Sequence, residues 1–513
     1  TLQEHLNKHN LTDFAGITEE VRLAEESMRM KISHQQRIYQ GLSNKREVDP
    51  AKVNKISRTL FDLYVSYDSL IEEIERNYPE YYALRYQIPA VDIEEIQRQL
   101  PEKQGIVSYF VGEESAFSWF ITKDQAEMYT LPSPDSIQAA LQAYSQHFEP
   151  ENMRTLLLAS KAQQKNHFDA FLTQGHQLYR QLMMPVEDQF VPGMRLTIVP
   201  DSYLGYLAFE TLPRFMIKGA EADYRKVPYL IKDFAIGYTP SISLHLNLQG
   251  QIAPSNSFYN YVGFAPVFPH EEQENGDSLL AMRSDFYQNL PFAKEEVEQV
   301  ATLLRGKTFL GPSATVKNFI KEAPKGRIIH IASHSILEDL APLDSRLIFS
   351  PEDETSALTL AEVYNLQMEA ELVVLSSCES GKGVIAKGEG IMSLSRAFFY
   401  AGSRSALITL WEVEDRAAKD ILYPFFEQLQ AQESKTVALQ KAKLDYITYV
   451  GEASFAHPFF WGPFVMVGNQ APVELSAAFF LNYAIFGTAL FLVLLLMGYT
   501  FYTYQRRKKS STI

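Results

Sequence analysis

Three apolar runs stand out in the second half of the chain. They are Arg327-Ile328-Ile329-His330-Ile331-Ala332-Ser333-His334-Ser335, Glu371-Leu372-Val373-Val374-Leu375-Ser376-Ser377-Cys378-Glu379-Ser380-Gly381, and Ser405-Ala406-Leu407-Ile408-Thr409-Leu410-Trp411. Unbroken hydrophobic runs of this length, each ending in polar residues, mark strands buried on both faces. Helical spacing lies between them, notably from Glu389 to Ala401. The pattern therefore predicts an α/β fold, a parallel sheet with flanking crossover helices. Residues 196–200, 261–264 and 307–310 read as further strands, and residues 203–212 as packing against the first. Residues 291–304 and 313–323 read as helices, the second with Ser313 as its N-cap.

Upstream the period changes twice. Residues 1–100 are charged and helical in pattern. Leu60, Leu63, Tyr64, Tyr67, Leu70, Ile71 and Ile74 form one apolar stripe, Pro50 opens the helix and Pro79 lies near its end. No clean repeat of about 34 residues, the tetratricopeptide period, is visible there. From Gly105 the period becomes two. Residues 106–111, 117–122 and 127–131 predict a three-strand meander, turning at Gly112-Glu113-Glu114-Ser115 and at Lys123-Asp124. Helices are expected over 136–148 and 153–182, so residues 101–190 read as a small β-meander plus helices that extend the sheet without chemistry of their own.

Residues 191–470 hold the main domain, and residues 475–505 differ in kind. No charged residue occurs from Ser476 to Tyr504, and about 20 apolar residues suffice to span a bilayer. Tyr499, Tyr502 and Tyr504 fit an interfacial belt, and Arg506, Arg507, Lys508 and Lys509 form a basic stop in the 506–513 tail. The expectation is one transmembrane helix after the sheet domain, with the tail cytoplasmic. The large domain would then be extracytoplasmic, as in a bacterial periplasm, if a signal peptide lies upstream. The chain begins at Thr1, so an upstream portion is expected.

Composition narrows the classes. With 46% apolar and 21% charged residues the chain is a folded protein. A net charge of −15 argues against a nucleic-acid backbone as partner. The single cysteine excludes an intramolecular disulfide, and no zinc spacing is present. Neither a metal nor a cofactor is implied. Gly381-Lys382 followed by Gly383 does not make a Walker loop. The acidic stretch His270 to Asp277 reads as a solvated loop.

Chemistry in parallel sheets gathers beyond the carboxyl ends of the strands. That rule puts His334 and Cys378 on one rim. A thiol attacks a carbonyl as thiolate, and a nearby imidazole can take its proton and return it to the leaving amine. His334 has the position of general base and Cys378 that of nucleophile; the bland alternative for Cys378 is a small apolar filler. His330, about 13 Å back along the strand, reads as a core histidine.

A histidine after one buried strand and a cysteine after the next, roughly 50 residues apart, is also the order found in caspases. The runs His330-Ile331-Ala332-Ser333-His334, Leu375-Ser376-Ser377-Cys378-Glu379-Ser380-Gly381 and Leu410-Trp411-Glu412-Val413-Glu414-Asp415 resemble the CHAT family of caspase-like proteins, relatives of separase. Ile198-Val199-Pro200-Asp201 and His457-Pro458-Phe459-Phe460-Trp461-Gly462-Pro463-Phe464 extend the likeness. The resemblance implies a caspase-like sheet, with backbone amides of Ser335 and Cys378 receiving the oxyanion. Where relatives carry His-Gly this chain has His334-Ser335, and the amide there gains a Cβ neighbour. It also implies that Glu412 and Asp415 hold a basic side chain before the cut bond, as carboxylates pairing with a guanidinium. Asp415 as N-cap of a helix beginning near Arg416 is the competing reading. Trp411 and Trp461 read as packing. Family members often carry tetratricopeptide repeats, which makes residues 1–100 either a remnant or cap of such an array, able to dock an activating protein, or a helical neck without sensing function. The resulting expectation is a membrane-tethered cysteine endopeptidase acting on a protein substrate, or alternatively a catalytically silent scaffold for signalling assembly.

Overall fold

In the computed structural model the described residues are 50–78, 91–217, 221–250, 257–268, 290–336, 345–352, 355–364, 366–376 and 392–475, with scattered positions between 21 and 35. Fourteen strands appear among them: β1 (Gln104–Val111), β2 (Ala116–Ile121), β3 (Ala126–Thr130), β4 (Arg195–Val199), β5 (Ala235–Tyr238), β6 (Tyr259–Ala265), β7 (Lys307–Leu310), β8 (Gly326–Ile331), β9 (Ser335–Ile336), β10 (Arg346–Glu352), β11 (Thr355–Thr359), β12 (Leu372–Leu375), β13 (Ser405–Thr409) and β14 (Phe464–Gly468). The α-helices of seven or more residues among the described ones are α1 (Pro50–Asn77), α2 (Ile93–Gln99), α3 (Pro134–Ser145), α4 (Pro150–Leu158), α5 (Lys161–Leu182), α6 (Ile242–Gly250), α7 (Ala293–Leu304), α8 (Val316–Glu322), α9 (Met392–Tyr400), α10 (Asp415–Gln430) and α11 (Lys435–Tyr449).

Eleven strands form one sheet in the order β3-β2-β1-β4-β5-β14-β13-β12-β8-β6-β7. β1, β4, β5 and β14 pair in parallel, as do β13, β12, β8, β6 and β7; the two blocks meet at the antiparallel β13–β14 pair. Every residue of β5, β8, β12, β13 and β14 is buried, which explains their lack of alternation. The meander predicted over 106–131 is β1–β2–β3, and β1 joins it to β4 in register from Gln104–Arg195 to Ser108–Val199. That block does extend the main sheet. A second sheet, β11-β10-β9, sits past the end of β8.

Two helix boundaries differ from expectation. Residues 153–182 are not one helix: α4 ends at Leu158, and Ser160 opens α5 with a reciprocal capping box to Gln163. Ser313 is not an N-cap. Its hydroxyl returns to Leu310, and Thr315 caps α8 by accepting from Asn318 N. Pro50 does open α1. The predicted membrane span at 475–505 falls outside the described residues, apart from Leu475. Among the described residues no helix is long and apolar enough to cross a membrane.

A buried polar seam joins α3–α5 to the His457-Pro458 segment. His147 Nε2 lies 2.7 Å from Gln174 Oε1, His147 Nδ1 3.0 Å from His167 Nε2, and His167 Nδ1 2.9 Å from Tyr224 Oη. Assigned from this network, one set of neutral tautomers satisfies all three contacts: Tyr224 donates to His167, His167 to His147, and His147 to Gln174. His457 Nδ1 accepts from Phe459 N at 3.0 Å, while its Nε2 is buried without a partner. Burial, with the neighbouring imidazoles, pushes His147 down to about 4 and His457 well below the usual histidine range.

Candidate active site on the rim of the sheet

The rim is set by register. β8 and β12 are adjacent and parallel, with Leu372 beside Ile328 and Leu375 beside Ile331. His334 is the third residue after Ile331, and Cys378 the third after Leu375. β13 lies on the other side of β12 and runs the same way, so Leu410-Trp411-Glu412 leaves the sheet at that rim too. Cys378 itself lies outside the described residues, as do Gly381, Gly383, Gly388 and Gly390.

His334 is almost fully buried, and its ring packs on Phe268 at 4.9 Å between centroids. Its backbone is fixed by the small second sheet. Ile348 N donates to His334 O at 2.9 Å, Ser335 pairs with Leu347, and the Ser333 hydroxyl bonds Ile348 O. The imidazole is therefore flanked by contacts to β10, through the Ser333 hydroxyl on one side and through main chain at His334 and Ser335. Ser335 is an extended strand residue and is not among the positive-φ positions. The backbone here does not require glycine, and the Ser335 Cβ is carried without a left-handed conformation.

His330 is a core histidine with polar partners for both ring nitrogens, as expected of a satisfied one. Its Nδ1 lies 2.8 Å from Tyr261 Oη and its Nε2 3.3 Å from Ser376 Oγ. Glu296 Oε1, from α7, approaches Nε2 to 3.0 Å. That approach suits charge pairing but is off the line of a hydrogen bond, and Oε1 has no hydrogen-bond partner.

The two carboxylates after β13 part company. Glu412 is exposed. Asp415 is not the N-cap of the helix that follows: Glu414 is, accepting from Ala417 N at 2.8 Å. Asp415 begins α10 and accepts instead from Phe292 N at 2.6 Å, tying together the starts of α7 and α10. Burial, reinforced by Glu296 and Glu414, raises its carboxyl to about 6 despite that bond. It is thus committed to a structural contact while half-buried, and Glu412 is the exposed one of the pair. The tryptophans pack as expected. Trp411 donates to Phe459 O at 3.0 Å and stacks on Phe148 at 4.7 Å, and Trp461 is fully buried. Among the described residues no group of three or more His, Cys, Asp or Glu could hold a metal ion.

Fold and rim together define an α/β protein built on a mainly parallel sheet, with its candidate chemistry beyond adjacent strand ends. The CHAT domain family matches residues 172–469, more than half of the chain, and the chain belongs to that family. Tetratricopeptide repeat protein 28 of Homo sapiens is 26% identical over 300 residues, covering 51% of this chain and 12% of that protein. The Mus musculus protein of the same name is 26% identical over 219 residues, covering 36% of this chain and 9% of that protein. The chain thus spans about a tenth of the length of these relatives. Among solved structures, the Saccharomyces cerevisiae separase–securin complex matches with a TM-score of 0.43 at 10% identity, over 86% of this chain and 37% of that one. The Arg-specific cysteine proteinase gingipain R matches at 0.34 and 9%, over 60% of this chain and 68% of that one. These are distant likenesses, too loose to carry residue roles across.

Proposed function

We propose that the chain is a cysteine endopeptidase of the CHAT type. His334 acts as general base and Cys378 as nucleophile, and the amides of Ser335 and Cys378 receive the oxyanion. The observation that carries this reading is the β8–β12 register: the imidazole and the thiol follow paired residues, by the same number of positions, on neighbouring parallel strands. His334 takes the thiol proton as sulfur attacks the carbonyl, and gives it to the departing amine when the acyl-thioester forms. Water, deprotonated by the same imidazole, then releases the acyl group and restores the thiol.

Glu412 selects a basic side chain before the cut bond, since it is exposed beside the rim while Asp415 is engaged. The helical N-terminus, including α1, docks an activating protein, and the apolar stretch 475–505 tethers the enzyme to a membrane. Both of these rest on the sequence pattern. The test is incubation of the full chain, in detergent micelles, with a peptide library. Cleavage after Arg or Lys by the parent, lost in Cys378→Ala and His334→Ala, is expected. Equal cleavage by parent and Cys378→Ala refutes the reading, and absence of cleavage by a folded parent favours the silent scaffold.

A further inference from the structure

Beneath the rim lies a buried polar cluster that the proposed chemistry leaves unused. His330, Tyr261, Glu296 and Ser376 come from β8, β6, α7 and the residue after β12, and none is more than slightly exposed. His330 is completely buried, with Phe426 5.5 Å away between ring centroids. If this histidine served only to fill space, no carboxylate would be needed beside it. Glu296 is buried against the desolvation cost of its own carboxyl group, which marks its place beside the ring as more than filling. The sequence also makes room for the ring pair. Gly263 is the register partner of His330 on β6, and a Cβ there would come within 2.6 Å of Tyr261 Oη and 2.5 Å of Val297 Cγ1.

The cluster ends on Ser376. Its backbone N–H donates to Ile331 O at 3.2 Å, the last rung of the β8–β12 ladder, and its hydroxyl meets His330 Nε2. Cys378 follows two residues later, and His334 lies four residues beyond His330, past the end of β8. We propose that His330 is a positioning residue: oriented by Tyr261 and Glu296, its ring holds Ser376 Oγ and so fixes where the chain leaving β12 presents the thiol relative to His334. The proposal rests on the cysteine-peptidase reading for its consequence but not for the clamp itself. Placement at this level matters because a misfit of about 1 Å can cost about 100-fold in rate.

The experiment uses the full chain in micelles and four variants: His330→Phe, His330→Gln, Ser376→Ala and the His330→Phe/Ser376→Ala double. Gln retains an amide N–H able to reach Ser376; Phe keeps the ring and removes the donor. Amide hydrogen exchange at Leu372–Ser376 is expected to speed up tenfold or more in the Phe and Ala variants, no further in the double, and to return in Gln, while β13 and β14 are unchanged. The pH profile of iodoacetamide alkylation then reads the sole thiol. Its midpoint, below the usual thiol value of about 8.5 in the parent, is expected to move back toward it in His330→Phe although His334 remains. Parental exchange in His330→Phe, or additive effects of the two single substitutions, overturns the clamp. A faster exchange with an unmoved alkylation profile overturns the positioning role. A parental thiol that titrates near 8.5 refutes the peptidase reading instead, and the exchange cycle still decides the clamp.

Discussion

Acidification tests the imidazole seam most directly. The tautomer chain from Tyr224 through His167 and His147 to Gln174 uses every ring nitrogen of the two imidazoles in its neutral form. A proton added to His147 would turn its Nδ1 toward the N–H of His167 as a second donor, with no carboxylate in the network to pair the charge. The folded pKa of His147, about 4, therefore lies below its unfolded value near 6.5. Above pH 6.5 neither state binds the proton and stability is unaffected. As pH falls through 6.5 the unfolded chain takes the proton first, so stability drops until about pH 4, where the folded state takes it too. At 1.36 kcal/mol per pKa unit the loss from His147 is roughly 2 kcal/mol at pH 5 and about 3 kcal/mol at pH 4. Fully buried His457 adds in the same direction. Asp415, raised to about 6, works the opposite way between pH 6 and 4, so the comparison must be made against a variant. Urea melts at pH 7 and pH 5 are expected to show His147→Gln losing about 2 kcal/mol less than the parent on acidification. An identical pH dependence in the two proteins would refute the network as drawn.

Three further substitutions follow from the contacts. Lys443 Nζ meets Glu210 Oε1 at 2.8 Å with both side chains buried, and Tyr238 donates to the same carboxylate; Lys443→Met strands that charge and should cost about 3–5 kcal/mol, read from a urea midpoint, whereas adding Glu210→Gln should recover much of the loss. Asp415→Asn keeps an acceptor for Phe292 N while removing a carboxyl held near 6, so its melting temperature at pH 7 should equal or exceed the parent's; a loss of several degrees would contradict the bridging role. Glu412→Gln should lower cleavage after Arg by tenfold or more without moving the melting temperature, and an unchanged preference would remove Glu412 from the specificity site.

The apolar runs around His330, Leu372 and Ala406 predicted their strands correctly because burial on both faces is written into local composition, and the period-two pattern from Gly105 predicted the meander for the same kind of reason. Local capping signals were also present. Ser160-x-x-Gln163 announced the break between α4 and α5, whereas residue type favoured Asp415 as the cap of α10 and only the fold gave that place to Glu414. Other features had no local signature. β9 is two residues long and exists only because β10 pairs with it, and the antiparallel β13–β14 seam joins segments far apart in the chain. The Phe292–Asp415 tie and the 147–167–457 histidine seam likewise depend on which segments meet. What the chain alone determined was the α/β class, the buried strands and the candidate residues His334 and Cys378, since hydrophobic periodicity and side-chain type are local properties. Only the tertiary structure decided that β8 and β12 are neighbours in equal register, that Asp415 is occupied, and that His330 reaches Ser376. Strand adjacency is a long-range pairing, chosen by the packing of the whole sheet.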